Sequence, residues 1–141
     1  MQKIVSNFDE LEDISKWLVN KLPAKFCLEM VGDVGAGKTT LTKFLVAALG
    51  SNDEVTSPSF TINNRYDLTS GHQISHYDFY RLGEAGVLSQ ELAEDLANPN
   101  VSVIIEWAGA VNDLLPADRI KLRIQTLADN TRQIVWERID D

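Results

Sequence analysis

The chain has 141 residues, 44% aliphatic or aromatic and 24% charged, which suits one domain with a sizeable core and excludes a disordered chain. A formal charge of −8 excludes the broad basic footprint of a protein that binds nucleic acid by itself, so any RNA is expected to be held by a partner. No apolar stretch approaches the ~20 residues that span a bilayer, and Met1-Gln2-Lys3 leads into polar residues, so no membrane association and a cytoplasmic location are expected.

In chain order, Ile4-Val5 reads as an opening strand. Asn7 with Glu10 three residues later has the pattern of a capping box. Leu11, Ile14, Leu18 and Leu22 give the following helix an apolar stripe that includes Trp17, and Pro23 ends it. Phe26 to Val31 is a short apolar run of the length of a buried parallel strand. It holds Cys27, the single cysteine, which reads as a packing residue and rules out an intrachain disulfide.

The next eight residues, Gly32-Asp33-Val34-Gly35-Ala36-Gly37-Lys38-Thr39, match the Walker A pattern G-x-x-x-x-G-K-[ST] in full. The glycines let the backbone curl its N–H groups around a phosphate chain. Lys38 offers a positive charge to the β- and γ-phosphates, and Thr39 offers a hydroxyl to Mg²⁺. Leu41, Phe44, Leu45 and Ala48 recur at helical spacing and Gly50 marks the end, so the loop opens a helix whose N-terminus favours an anion.

Thr56-Ser57-Pro58-Ser59-Phe60 reads either as a loop that senses the γ-phosphate or as a turn into a strand from Phe60 to Tyr66. A turn follows at Thr69-Ser70-Gly71, then a strand from Ile74 to Tyr80. Leu88, Leu92 and Leu96 line one side of a helix, with Glu91, Glu94 and Asp95 assigned to its outer face. Val101 to Ile105 is the strongest β-branched run and completes a strand–helix–strand crossover. Ile120, Leu122 and Ile124 alternate with polar residues in a strand with one wet face, and a turn at Ala128-Asp129-Asn130 leads to an antiparallel partner from Arg132 to Arg138. The expected architecture is a single α/β domain over residues 1–141, a three-layer P-loop NTPase fold around a mixed, mainly parallel sheet with a C-terminal antiparallel strand pair.

Turnover at a P-loop needs carboxylates near the metal, and open α/β sheets place such groups at the carboxyl ends of strands. Glu106 ends the run from Val101, and Asp78 lies near the end of the strand from Ile74. Either can hold Mg²⁺ or orient the attacking water. His76 reads as a structural hydrogen-bonding residue in preference to a general base. Trp107 reports nucleotide state, packs under the loop from Thr56 to Phe60 or packs in the core, and Arg81 neutralises transition-state charge or pairs with a neighbouring acid.

The Walker A segment, Thr-Ser-Pro-Ser-Phe, His76-Tyr77-Asp78-Phe79-Tyr80-Arg81 and Glu106-Trp107 occur in the order seen in the TsaE (YjeE) family of small bacterial ATPases, which this chain resembles over most of its length. The H-x-D-x-Y-R and E-W elements discriminate far better than the P-loop. The resemblance implies an ATPase, using ATP and Mg²⁺, required for the threonylcarbamoyl modification of adenosine 37 in tRNAs that read codons starting with A. It implies action with the TsaB and TsaD proteins, tRNA being reached indirectly through the complex; self-association is left open. By the same resemblance Gly35, Ala36, Gly37, Lys38, Thr39 and Thr40 bind the nucleotide, with Thr39 and Glu106 at the metal and Lys38, Asp78 and Glu106 as catalytic residues. Asp78 lies beside the nucleotide, Arg132 reaches it from the late strand, and Phe8 borders it. The family loop usually reads Ser-Pro-Thr, and here Ser59 stands at the threonine position, keeping the hydroxyl and losing a methyl.

Three other readings compete. A small-molecule kinase shares this layout, but no insertion supplies a substrate pocket or an arginine-bearing lid. A GTPase-like switch lacks support, since neither Asn-Lys-x-Asp nor Asp-x-x-Gly occurs. A scaffold with a vestigial site conflicts with the intact Lys38, Thr39, Asp78 and Glu106.

Overall fold

The computed structural model describes residues 2–5, 8–32, 37–51, 63–79, 86–129 and 131–138. Seven strands form one sheet: β1 (Gln2–Val5), β2 (Cys27–Val31), β3 (Asn63–Asp67), β4 (Gln73–Asp78), β5 (Val101–Glu106), β6 (Ile120–Thr126) and β7 (Arg132–Arg138). Their spatial order is β1-β7-β6-β2-β5-β4-β3. The central strands β6, β2, β5 and β4 pair in parallel, and the pairings toward the two edges are antiparallel. Helix α1 (Phe8–Val19), α2 (Lys38–Ala48) and α3 (Gly86–Ala97) and a 3₁₀ segment, Ala108–Leu114, complete the described elements.

Strand alternation sorts the apolar side chains into two cores and so makes three layers. Leu28, Met30, Ile74, Ile104, Leu122 and Ile124 meet Leu11 and Leu18 of α1 and Leu41 and Leu45 of α2 on one face. Cys27, Val103, Ile105, Tyr77 and Phe79 meet Leu92 of α3 and Val111 of the 3₁₀ segment on the other. Trp17 packs against the first core, as the stripe of α1 suggests. Among the described residues no helix is long and apolar enough to cross a membrane.

The α2 helix is bounded by two glycines with positive φ. Gly37 opens it at φ 108°. At the other end Gly50 has φ 106°; its N–H donates to the Ala47 carbonyl at 3.1 Å, and the Ser51 N–H donates to the Val46 carbonyl at 3.2 Å. That pair of bonds is a Schellman motif, which satisfies carbonyls that the helix leaves open.

Several expectations shift. Helix α1 ends at Val19, before Pro23, because a turn closes with Lys21 N–H on the Leu18 carbonyl at 2.9 Å; Leu22 still packs on the core from beyond it. Asp95 is not on the outer face of α3. It is buried, accepting a 2.5 Å hydrogen bond from the Tyr77 hydroxyl and a 2.8 Å bond from Arg65. The 3₁₀ segment has no counterpart in the sequence reading. Asn7 of the expected cap, the loop Thr56 to Phe60, Tyr80, Arg81 and Asn130 lie outside the described residues.

Burial pushes the Cys27 thiol up to about 12, against the pull of the neighbouring Arg119 guanidinium. A free thiol in the unfolded chain ionises near about 8.5. The folded state therefore keeps its proton where the unfolded state releases it, and this contribution to stability, full below that value, is lost as pH rises toward 12. Urea unfolding of the wild type and Cys27→Ala from about pH 8 to about pH 11 is expected to show their stability difference falling by up to ~1.4 kcal/mol per pH unit. A flat difference would contradict the assignment.

Candidate functional site

The parallel register brings the predicted carboxylates together. Met30 of β2 lies opposite Glu106 of β5, and Glu106 lies opposite Asp78 of β4. Asp78 and Glu106 end their strands, and Met30 lies one residue from the end of β2 and two short of Gly32, at the end of the sheet where α/β folds bind ligands. Strand alternation turns Glu106, Asp78 and His76 to the side of the sheet that α2 covers, with Ile74 and Ile104 of the same core.

Helix α2 begins at this edge with no side-chain cap at Gly37. Its first-turn N–H groups, those of Lys38, Thr39 and Thr40, point along the helix axis toward the loop and have no acceptor within the helix itself. Gly37 is required for its φ of 108°, which a side chain rarely adopts, whereas a Cβ there would only touch Ile124 Cδ1 at 3.4 Å. Thr39 and Thr40 are half-buried in that turn. Thr42 fastens the turn: its hydroxyl donates to the Lys38 carbonyl at 2.8 Å and lies 3.2 Å from Met30 Sδ.

Lys38 is only 6% exposed. Its ammonium donates to the Gly32 carbonyl at 2.6 Å and lies 3.7 Å from Glu106 Oε1. The indole of Trp107 covers it, with Nζ 4.2 Å from the ring centroid, a cation–π arrangement. Glu106 is 3% exposed, and its second oxygen, Oε2, lies 2.6 Å from His76 Nε2. The buried lysine is thus charge-compensated and held at the mouth of the loop.

Trp107 adopts φ 57° and ψ 52°, the one non-glycine positive φ among the described residues. This conformation costs a side-chain-bearing residue roughly 1–2 kcal/mol. The flip ends β5, sends the chain into the 3₁₀ segment and leaves the indole over Lys38. A cleft of about 280 Å³ opens here, lined by Glu29, Met30, Gly32, Lys38, Trp107 and Gly109.

The remaining candidates are placed by register. Arg132 opens β7 opposite Thr126, the last residue of β6, and opposite Val5, the last residue of β1. Both β1 and β6 end at the P-loop end of the sheet, so Arg132 and the start of α1 at Phe8 share that end with Lys38. Gly35 and Ala36 lie outside the described residues. Sequence reasoning missed Glu29, which is buried in β2 and paired with Arg119 Nε at 2.9 Å; a lone acid in an apolar strand was the available signal. It also missed how directly His76 touches Glu106.

The donors at this edge are carboxylate and hydroxyl oxygens, with a lysine and an uncapped helix N-terminus. That set suits a hard cation bound together with phosphate, since Mg²⁺ takes one or two protein oxygens and fills its shell with phosphate and water. Among the described residues no cluster of three or more His, Cys, Asp or Glu could hold a metal by itself.

Comparison with known proteins finds a family and relatives for the chain. The family model for threonylcarbamoyl adenosine biosynthesis protein TsaE matches residues 5–134. The chain is 31% identical over 130 residues to the tRNA threonylcarbamoyladenosine biosynthesis protein TsaE of Rickettsia felis, covering 92% of this chain and 75% of that one. The TsaE proteins of Streptomyces coelicolor and Bacillus subtilis are 32% and 33% identical, each over 86% of this chain and over 82% and 78% of theirs. The crystal structure of YdiB from Bacillus subtilis superposes with a TM-score of 0.76 at 30% identity, covering 99% of this chain and 85% of that one.

The sequence holds three tryptophans, Trp17, Trp107 and Trp136, and Trp107 is the one stacked on Lys38. A triphosphate that draws the ammonium away changes the indole's surroundings. Titration with a non-hydrolysable ATP analogue is expected to change the emission of the wild type and not that of Trp107→Phe. A response that survives in the variant would place its source elsewhere.

Proposed function

The chain belongs to the TsaE family, and from that premise we propose that it is a magnesium-dependent ATP hydrolase serving the threonylcarbamoyl modification of adenosine 37 in tRNA. The observation that carries the reading is the buried Lys38–Glu106 pair, at 3.7 Å, between an uncapped helix N-terminus and the ends of parallel strands. Family membership favours this reading over the small-molecule kinase.

Lys38 leaves the Gly32 carbonyl for the β- and γ-phosphate oxygens, while the N–H groups of Lys38, Thr39 and Thr40 receive the phosphate at the positive end of α2. Thr39 and Glu106 would hold Mg²⁺, which when bound neutralises charge on the same phosphate oxygens. A water oxygen bonds to the γ-phosphorus as the bond to the β–γ bridging oxygen breaks, giving ADP and phosphate. Glu106 or Asp78 accepts the hydrogen bond that orients this water; the two are paired across β5 and β4. Arg132 and the start of α1 border the nucleotide from the same edge.

The partners are TsaB and TsaD, which hold the tRNA, and the setting is cytoplasmic. An acidic chain gains little from phosphate contacts of its own.

Lys38→Ala is expected to remove most triphosphate affinity. Glu106→Ala is expected to spare the metal-independent part of the binding, to lose the gain conferred by Mg²⁺ and to lower turnover by ~10²-fold or more. Nucleotide titration and phosphate release on both variants check this, and normal hydrolysis by Glu106→Ala removes that residue from the mechanism. Mixing the chain with TsaB–TsaD and ATP is expected to raise ATP turnover above the rate of the chain alone. An unchanged rate with complex formation intact would contradict partner stimulation.

A further inference from the structure

We propose that His76 is a positioning residue for Glu106, holding one carboxylate oxygen inward so that the other is presented to the phosphate-bound metal. The inference rests on the Mg-ATP reading of the site. His76 is 0% exposed, and its Nε2 lies 2.6 Å from Glu106 Oε2. With a carboxylate as acceptor, Nε2 carries the proton and donates.

Two features separate this contact from ordinary core packing. The other ring nitrogen, Nδ1, is buried and has no hydrogen-bond partner among the described residues. The large majority of buried side-chain polar atoms have a partner, and an apolar side chain would fill the same space without stranding one. The bond to Glu106 is therefore what this position provides. The geometry at Glu106 is also asymmetric: Oε2 has the short bond to His76, whereas Oε1 has only the 3.7 Å approach to Lys38.

The reason the carboxylate needs an anchor lies in the chain. Glu106 is the last residue of β5, and Trp107 turns into the left-handed region immediately after it. His76 supplies the anchor from the next strand, facing α2 two residues before Asp78, at a depth set by the pairing of His76 with Ile104. Once Lys38 turns to the phosphates, His76 Nε2–H is the contact that keeps Oε2 in place and leaves Oε1 free for the cation. Groups that orient a metal's ligands typically matter by 10–100-fold in metal affinity.

The test is binding of a non-hydrolysable ATP analogue with Mg²⁺ and in EDTA, for the wild type, His76→Gln, His76→Asn and His76→Leu. Glutamine can place an N–H near the Nε2 position, whereas asparagine is too short and leucine has no donor. In His76→Asn and His76→Leu the gain in affinity conferred by Mg²⁺ is expected to fall ~10-fold or more, with affinity in EDTA within ~2-fold of wild type. His76→Gln is expected to keep the gain within ~3-fold. If His76→Leu does not fold, the asparagine–glutamine comparison decides alone. A full Mg²⁺ gain in His76→Asn, or equal losses with and without metal, overturns the positioning role. A wild type with no Mg²⁺ gain at all overturns the Mg-ATP reading and this inference together.

Discussion

The parallel register of β2, β5 and β4 is the constraint on which the site depends. It sets Met30, Glu106 and Asp78 side by side and delivers the chain into the P-loop two residues later. A slip of one residue would turn Glu106 and Asp78 to the opposite face and bury them against α3 and the 3₁₀ segment. The registers are held by apolar packing on both faces, so the cores that stabilise the sheet also set the positions of the acids.

Chemistry and support are divided between the two faces. On β4, His76 and Asp78 look toward α2, while Tyr77, like Phe79 just past the strand, looks toward α3, where the two rings stack with centroids 5.9 Å apart. On that second face the polar ties are structural: Asp95 with Tyr77 and Arg65, and Glu29 with Arg119. Burial and the Asp95 carboxylate push the Tyr77 phenol far above its ordinary range, so it stays a donor and locks α3 to the sheet. Lys25 does similar work at the far end of the strands, where its ammonium donates to the carbonyls of Asp95, Asn98 and Val101.

Much of the architecture was legible because it is local. The glycines at 37 and 50 bracket a helix, the alternation from Ile120 marks a half-wet strand, and the run from Val101 marks a buried one. Glu106 and Asp78 were readable as strand-end acids for the same reason. What escaped depends on partners distant in sequence. Asp95 sits beside the apolar stripe of α3 and looked solvated, but Tyr77 and Arg65 arrive from β4 and β3 to bury it. Glu29 is explained by Arg119 and Lys121, ninety or more positions on. The left-handed turn at Trp107 leaves no sign in a sequence where the residue is not glycine.

The two outer strands of the sheet carry a consequence for behaviour in a crowded solution. An unpaired strand edge is a template for other chains, and open sheets need protection against pairing edge to edge. Here β1 is four residues long and includes Lys3, and β3 is five residues long and reads Asn-Asn-Arg-Tyr-Asp, with Arg65 and Asp67 exposed. Short length and charge on both edges, with the poor strand formers Asn63, Asn64 and Asp67 on β3, make stacking of sheets into fibrils unfavourable. The long β-branched run of β5, the most aggregation-prone segment by composition, is enclosed between β2 and β4. Strand order thus confines the stickiest segment to the centre and leaves short, charge-bearing strands at the rim.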